Sequence, residues 1–179
     1  MRTAILVIST ALALATTGTQ TLAQTLQTPA EACAHSRYSQ NQDVAAFLAK
    51  VAAASKNVKV KVVGKTGAAK ELSGADIFLA VITAEGIDTP PAIDRRKPTL
   101  LITASQHGNE QSGKEAALLL IRDLAVGDLK PLLAQVNVLV MPQTNPYGNF
   151  VDRRTNEQDL DLNRDHVKLE APETRAIHA

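Results

Sequence analysis

The order of the predicted elements indicates an α/β protein in which a mixed β-sheet is flanked by helices. Four short apolar runs predict strands, and they lie at Val58–Val63, Ile77–Thr83, Thr99–Thr103 and Val136–Met141. Two longer segments with apolar residues at helical spacing predict helices, one before the first strand and one between the third and fourth strands. The order strand, strand, strand, helix, strand is typical of a mixed sheet with helices packed on it.

The composition is that of one domain with a moderate core. The chain has 179 residues, and its 19 Lys and Arg residues nearly balance its 18 Asp and Glu residues. This balance predicts no attraction to nucleic acid or to acidic membranes. Aromatic residues make up 3% of the chain and Trp is absent. The core must therefore be built from Ala, Val, Leu and Ile.

The first 23 residues have the pattern of a signal peptide. Arg2 supplies a positive charge, the apolar run 4–15 is too short to span a bilayer, and residues 21–23 form a small-x-small cleavage site. We expect an exported protein, periplasmic or secreted, that starts at Gln24 and has no membrane anchor. Cys33 is the only cysteine, so it cannot form an internal disulfide.

The first helix is predicted to follow a polar leader. Residues 24–42 are polar and are expected to be irregular. Asp43 is a suitable N-cap for a helix that continues to about Ala54. Its apolar stripe consists of Val44, Phe47, Leu48 and Val51. After the second strand, the prolines and charges of segment 85–97 predict an exposed connection.

The second helix is predicted from about Glu110 to Ala125, with Gly127 as its stop. Its apolar stripe consists of Ala117, Leu120, Ile121 and Leu124. A short helix is expected at Leu129–Leu133, and another near Ala171, where Pro172 and Glu173 suit a first turn. Between them, segment 145–165 is polar and lacks periodicity, and so long a loop in a compact domain is usually functional or disordered.

A possible metal-binding pair follows the third predicted strand, which is expected to be covered on both faces. His107 and Glu110 lie just past the end of this strand, where α/β proteins usually bind ligands. Gly108 between them allows a tight turn. An imidazole and a carboxylate that converge in this way suit zinc. H-x-x-E alone is a weak signal, because many unrelated chains contain it by chance. An exposed His followed three positions later by a Glu that starts a helix gives the same pattern.

A second motif supports the first. Segment 145–165 contains N-P-x-G, then an arginine, then D-L-N-R-D. Together, the two stretches resemble the zinc carboxypeptidase family of the carboxypeptidase A and B type, and the resemblance runs from about Tyr38 to the end of the chain. Ser112 departs from the family pattern, in which an aliphatic or small apolar residue is more common. The resemblance implies an α/β fold, with residues 43–179 as the amino-terminal part of a catalytic domain truncated at its carboxyl end.

The resemblance assigns roles to individual residues. His107 and Glu110 would bind Zn²⁺, and Asp161 would accept a hydrogen bond from the His107 ring. Arg154, favoured over its neighbour Arg153 by spacing, would polarise the scissile carbonyl and stabilise the oxyanion. Asn163 and Arg164 would bind the terminal carboxylate of the substrate. The alternatives are a solvated surface charge for a single arginine and a turn-capping carboxylate for Asp161.

The family also requires a third zinc ligand, a later histidine, and a glutamate as general base. Both are expected beyond Ala179, so we interpret the chain as a fragment, with a degenerate copy as the alternative. His166 and His178 do not match the third ligand and are expected to be ordinary exposed histidines.

The predicted function is that of a metallocarboxypeptidase, which removes carboxyl-terminal residues from peptides. The substrate is expected to carry a free carboxylate. Two alternatives remain: a zinc amidohydrolase acting on acyl amino acids or cell-wall peptides, and an inactive remnant.

Overall fold

The fold is built around a four-stranded mixed sheet. A computed structural model describes residues 25–67, 72 and 74–179, so the predicted signal peptide lies outside the described residues. The strands are β1 (Val58–Lys65), β2 (Asp76–Ile82), β3 (Thr99–Thr103) and β4 (Asn137–Met141). Their order in the sheet is β1-β2-β4-β3. The β1–β2 and β2–β4 pairs are antiparallel, whereas β3 and β4 are parallel. The predicted α/β class with a mixed sheet is therefore confirmed.

Five helices accompany the sheet in the described part of the chain. They are α1 (Pro29–Ala32), α2 (Asn41–Ala54), α3 (Gln111–Val126), α4 (Pro146–Phe150) and α5 (Pro172–His178), and 3-10 turns lie at Pro90–Ala92, Lys130–Ala134 and Leu162–Arg164. Helix α2 starts earlier than predicted, because Asp43 is not its N-cap. Asp43 lies one turn further in, where its carboxylate accepts a hydrogen bond from the Gln40 amide at 2.8 Å.

The two faces of the sheet are covered by different helices. On one face, α2 and α3 form the main apolar core with alternate residues of the strands, including Ala80, Ile82 and Val140. On the other face, Ala176 of α5 packs with Ile77 and Met141. The predicted stripes of both helices face the main core, with Leu120 only partly buried. This packing fixes the ends of β3 and β4, from which the candidate site is built.

Strand β3 has the predicted bounds but not the predicted environment. Among the described strands it pairs only with β4, and it forms an edge of the sheet. Leu100 is 52% exposed and Leu101 is 46% exposed, so the expected coverage on both faces was wrong. A short apolar run predicts a strand because of its β-propensity, but the elements that cover the strand come from elsewhere in the sequence.

The segment before α2 is more ordered than the irregular leader that was expected. Thr28 and Glu31 form a reciprocal capping box around α1. The carboxylate of Glu31 also accepts a hydrogen bond from Arg122 of α3 at 2.6 Å. These contacts attach the segment to the domain. In the part of the chain that the structure covers, no helix has the length and apolar character needed to cross a membrane.

Candidate metal centre

The loops after β3 and β4 are held side by side. Because these strands are parallel neighbours, their carboxyl ends meet at the same edge of the sheet. The Ala104 amide donates to the Met141 carbonyl at 2.9 Å, and the Thr144 amide donates to the Ala104 carbonyl at 3.0 Å. The Asn145 amide then donates to the carbonyl of Ser105 at 3.2 Å. This ladder brings the H-x-x-E turn against the N-P-x-G segment.

Gly108 is required by close packing. A Cβ atom at this position would lie 2.5 Å from the Arg153 carbonyl oxygen, and closer still to backbone atoms of Gly148 and Asn149. Gly108 does not have a positive φ, so the tight turn that was predicted is not the reason for glycine here. The backbone of the turn instead lies directly on α4, and any side chain would separate the two.

His107 contacts a carboxylate with each of its ring nitrogens. Nδ1 lies 3.0 Å from Oε1 of Glu110, and Nε2 lies 3.1 Å from Oδ1 of Asp161. The imidazole is 10% exposed, whereas the Glu110 side chain is 64% exposed. The two carboxylates therefore hold the ring in one orientation from opposite sides.

Asp161 faces Nε2 of His107 as an ionised carboxylate. Burial opposes its ionisation, but hydrogen bonds from Arg154, the Asn163 amide and His107 outweigh this effect and lower the pKa of the Asp161 carboxyl. A carboxylate only accepts hydrogen bonds, and His107 faces one on each side, so a neutral ring can donate to only one of them at a time. In the tautomer that donates from Nε2 to Asp161, the lone pair of Nδ1 lies on the side of Glu110, where it can bind a cation.

The donor set fits two ligands of one zinc ion. Nδ1 of His107 and Oε1 of Glu110, at 3.0 Å from each other, can both lie about 2.0–2.2 Å from the same ion. Asp161 provides the partner that metal-binding histidines usually have on the other nitrogen. Within the described residues, no group of three or more His, Cys, Asp and Glu side chains could hold a metal. This part of the chain therefore offers a pair of ligands.

Arg154 lies next to this pair, and Arg153 does not. Nε of Arg154 donates to Oδ2 of Asp161 at 3.1 Å, and its Nη1 lies 3.8 Å from Oε1 of Glu110. Its side chain is 46% exposed, so part of the guanidinium surface remains accessible. Arg153 pairs with Asp159 at the surface. The structure thus brings together His107, Glu110, Asp161 and Arg154.

Asn163 and Arg164 lie in the 3-10 turn that follows Asp161, and both are exposed. The Asn163 amide donates to Oδ1 of Asp161 at 3.0 Å, and the Arg164 guanidinium donates to the Asn163 carbonyl at 3.0 Å. Neither side chain hydrogen-bonds to His107 or Glu110 in the described region. The two residues follow Asp161 closely in the sequence, and their side chains are exposed to solvent.

The two later histidines contact each other. Nδ1 of His166 lies 3.0 Å from Nε2 of His178, and Gln106 contacts the other nitrogen of His166 at 2.5 Å. The sequence predicted two ordinary exposed histidines, but only His178 is exposed, His166 is half-buried, and their spacing gave no signal for this pairing. They do not join the His107 cluster.

A buried polar cluster beneath the turn was missed by sequence reasoning. It contains Lys114, Gln111, Asn149 and Gln143, which are all at most 9% exposed. A signal was present, because Lys114 lies on the apolar face of the predicted helix, one turn before Ala117 and two before Ile121. A charged residue in such a stripe is rarely buried without several partners.

Comparison with known proteins finds one matching family and relatives that share part of this chain. The family model of zinc carboxypeptidases matches residues 44–176. Carboxypeptidase 2 of Trichophyton rubrum is 38% identical over 84 residues, which are 46% of this chain and 16% of that relative.

Two solved structures show the same fold. Carboxypeptidase A from Helicoverpa armigera superposes with a TM-score of 0.66 at 20% identity, covering 79% of this chain and 42% of that one. A metallo-carboxypeptidase from Burkholderia cenocepacia gives a TM-score of 0.58 at 25% identity, covering 76% and 36%. The matched region thus spans less than half of each of these relatives.

Proposed function

Because the chain belongs to the zinc carboxypeptidase family, we propose that it forms part of a zinc-dependent hydrolase that removes carboxyl-terminal residues from peptides. The observation that carries the proposal is the position of His107 between two carboxylates. Its Nδ1 faces Glu110 at 3.0 Å, and its Nε2 faces Asp161 at 3.1 Å. The family relationship supports a hydrolase, and the peptide substrate is the proposed step beyond it.

In this proposal, His107 and Glu110 hold the zinc ion. Zinc in such a site supplies Lewis-acid polarisation of a carbonyl group. A catalytic zinc site normally has three protein ligands, and a general base is also needed. We propose that a third ligand and a base complete the site, in addition to the pair formed by His107 and Glu110.

The remaining residues of the site would orient the zinc ligand His107 or bind the substrate. With zinc on Nδ1 of His107, the ring proton would lie on Nε2, and Asp161 would accept it. The accessible part of the Arg154 guanidinium would donate to the carbonyl oxygen on which negative charge develops. Asn163 and Arg164 would bind the free carboxylate of the substrate, because a planar guanidinium matches a carboxylate in two parallel hydrogen bonds.

Export is a separate part of the proposal. The charged, apolar and small-residue regions of segment 1–23 support cleavage after Ala23. Mass spectrometry of the mature protein should find Gln24 at the amino terminus. A mature chain that retains Met1 or Arg2 would refute this.

The function can be tested with matched pairs of peptides, one with a free carboxyl terminus and one with an amidated terminus. The 179-residue chain and any longer product of the same gene should be assayed in parallel with zinc. We expect the longer product to release terminal residues from the free peptide only, and the 179-residue chain to be inactive. His107→Ala should abolish release, whereas His35→Ala, an exposed histidine of the leader, should not.

Three outcomes would contradict the proposal. Equal cleavage of amidated peptides would exclude recognition of the terminal carboxylate. Hydrolysis of acyl amino acids without peptide cleavage would favour the amidohydrolase alternative. Enzyme-like turnover by the 179-residue chain, lost in His107→Ala, would show that its site is already complete.

A further inference from the structure

Lys114 is a buried cation beneath the metal-binding turn. Its side chain has no exposed surface. A buried ammonium group is strongly destabilising unless each of its protons has a partner. Nζ donates to three acceptors: the Ser39 carbonyl, Oε1 of Gln111 at 2.9 Å and Oδ1 of Asn149 at 2.5 Å. All three protons of the ammonium group are therefore used.

Two of these acceptors, on Gln111 and Asn149, belong to residues that are bonded to the turn carrying His107 and Glu110. Gln111 follows the ligand Glu110 in the chain, and its amide nitrogen donates to the Asn149 carbonyl at 3.1 Å. The side-chain amide of Asn149 donates to the carbonyl of Gly108 at 2.9 Å, between the two ligands. Lys114 is thus linked to the chain after Glu110 through Gln111. It is linked to the chain before Glu110 through Asn149, which holds the Gly108 carbonyl.

The same contacts keep α4 against the turn. Gly108 lies so close to the backbone of α4 that a Cβ atom would overlap with it. The position of α4 depends on Asn149, whose Oδ1 accepts from Lys114 and also from Gln143 at 2.7 Å. Both lone pairs of this oxygen are occupied, so Asn149 has one defined orientation. Loss of the lysine would remove the donor to the Ser39 carbonyl and one of the two donors to each side-chain oxygen, leaving Gln111 Oε1 with Asn149 Nδ2 and Asn149 Oδ1 with Gln143.

We propose that Lys114 is a positioning residue for the zinc site. Its three hydrogen bonds hold Gln111 and Asn149, and through them the backbone that directs His107 and Glu110 towards one ion. This inference rests on the proposed function, since it concerns the same site. An apolar residue of the same size would fill the space but would supply none of the three donors.

The charge state of Lys114 agrees with this role. Burial lowers the pKa of Lys114 to about 8, while the carboxylates of Glu115 and Asp43 act in the opposite direction. Oε1 of Glu115 lies 3.8 Å from Nζ. At neutral pH the group is mainly charged and has three protons for its three acceptors, and loss of one proton would remove one of the three hydrogen bonds.

The test compares Lys114→Met with a control of similar burial. Lys114→Met keeps the length of the side chain and removes its donors. Leu118→Ala, one turn further along α3, also affects a side chain with no exposed surface, but it contacts the core and not the turn. Both variants and the wild type would be titrated with zinc and with cobalt, under conditions in which circular dichroism shows that all three are folded. The visible absorption of cobalt reports the geometry of its ligands.

We expect Lys114→Met to lower zinc affinity by about 10–100-fold, the usual effect of losing a residue that orients metal ligands. It should also change the cobalt spectrum, and Leu118→Ala should change neither. If Lys114→Met does not fold, Gln111→Leu removes one acceptor and the contact with Asn149, and it should show the same two changes. The role of Lys114 is overturned if the folded variant binds zinc within twofold of wild type with an unchanged spectrum, or if Leu118→Ala has the same effect. If the longest product of the gene, without substitutions, binds neither metal, the proposed function itself is overturned.

Discussion

The substitution Gly108→Ala should damage the fold and the metal site together. Its Cβ would lie 2.5 Å from the Arg153 carbonyl oxygen, and closer still to two backbone atoms of α4. Atoms in ordinary contact are about 3.5 Å apart, so the turn would have to move by at least about 1 Å. Backbone atoms cannot move aside by changing rotamer, so the strain must be relieved by displacing the turn or α4.

The expected magnitude follows from this geometry. Overpacking a well-packed site costs typically 1–3 kcal/mol, and the rigidity of the neighbouring backbone places Gly108→Ala at about 3 kcal/mol or more. Metal-ligand distances tolerate only about 0.2 Å of error, so a displacement of about 1 Å should also abolish joint binding by His107 and Glu110. The two effects should appear in the same variant.

The assay is urea unfolding at several metal concentrations, with Gly113→Ala as the matched control. A Cβ at Gly113 would meet its nearest atoms at 3.9 Å, which is an ordinary contact. Because Gly113 lies within α3, alanine there should stabilise the protein by roughly 0.5–1 kcal/mol. The two substitutions should thus have opposite signs. A Gly108→Ala protein within about 0.5 kcal/mol of wild type, a change typical of a neutral surface site, would refute the packing argument.

Three further predictions concern the site and its support. Asp161→Asn should lower zinc affinity by about 10–100-fold, because the amide no longer holds the His107 proton as a charged acceptor does; a zinc titration measures this, and unchanged affinity would make Asp161 a loop residue only. Folding lowers the pKa of Lys114 from 10.5 to about 8. The unfolded chain therefore binds more protons than the folded protein between about pH 8 and pH 10.5. The free energy of unfolding should rise with pH across that window in wild type but not in Lys114→Met. Unfolding curves at several pH values that show the same slope in both proteins would contradict this. Ser105 has φ +51°, so Ser105→Val should be less stable than Ser105→Gly by about 1–3 kcal/mol in urea unfolding, and equal stability would show that the strain is absent.

The sequence predicted those elements whose periodicity is local. The stripe of α2 and the bounds of β3 depend on residues within one segment, and both agree with the structure. The exposure of β3 was missed because it depends on which strands flank it, and β4 follows only after the whole of α3. The start of α2 was misplaced by three residues, because Asp43 caps the helix from its third position and not from before it.

The candidate site was predicted through the family resemblance, and its geometry was not. The motif spacing suggested that His107, Glu110, Asp161 and Arg154 act together, and the structure places them in contact. No local pattern could show that Gly108 is needed for close packing on α4, since the partner lies 40 residues later. The hydrogen bonds of Lys114 with Ser39 and Asn149 are equally long-range. The only sequence signal for these hydrogen bonds was the position of Lys114 in the apolar stripe of the helix.

The central claim is that His107 and Glu110 hold a zinc ion together. Crystals grown with zinc and measured on both sides of the zinc absorption edge would locate the ion directly. We predict an anomalous peak about 2.0–2.2 Å from Nδ1 of His107 and from a carboxylate oxygen of Glu110, with Asp161 still bound to Nε2. A peak at the His166–His178 pair with none at His107, or a zinc ion on the Nε2 side of the ring, would contradict the claim.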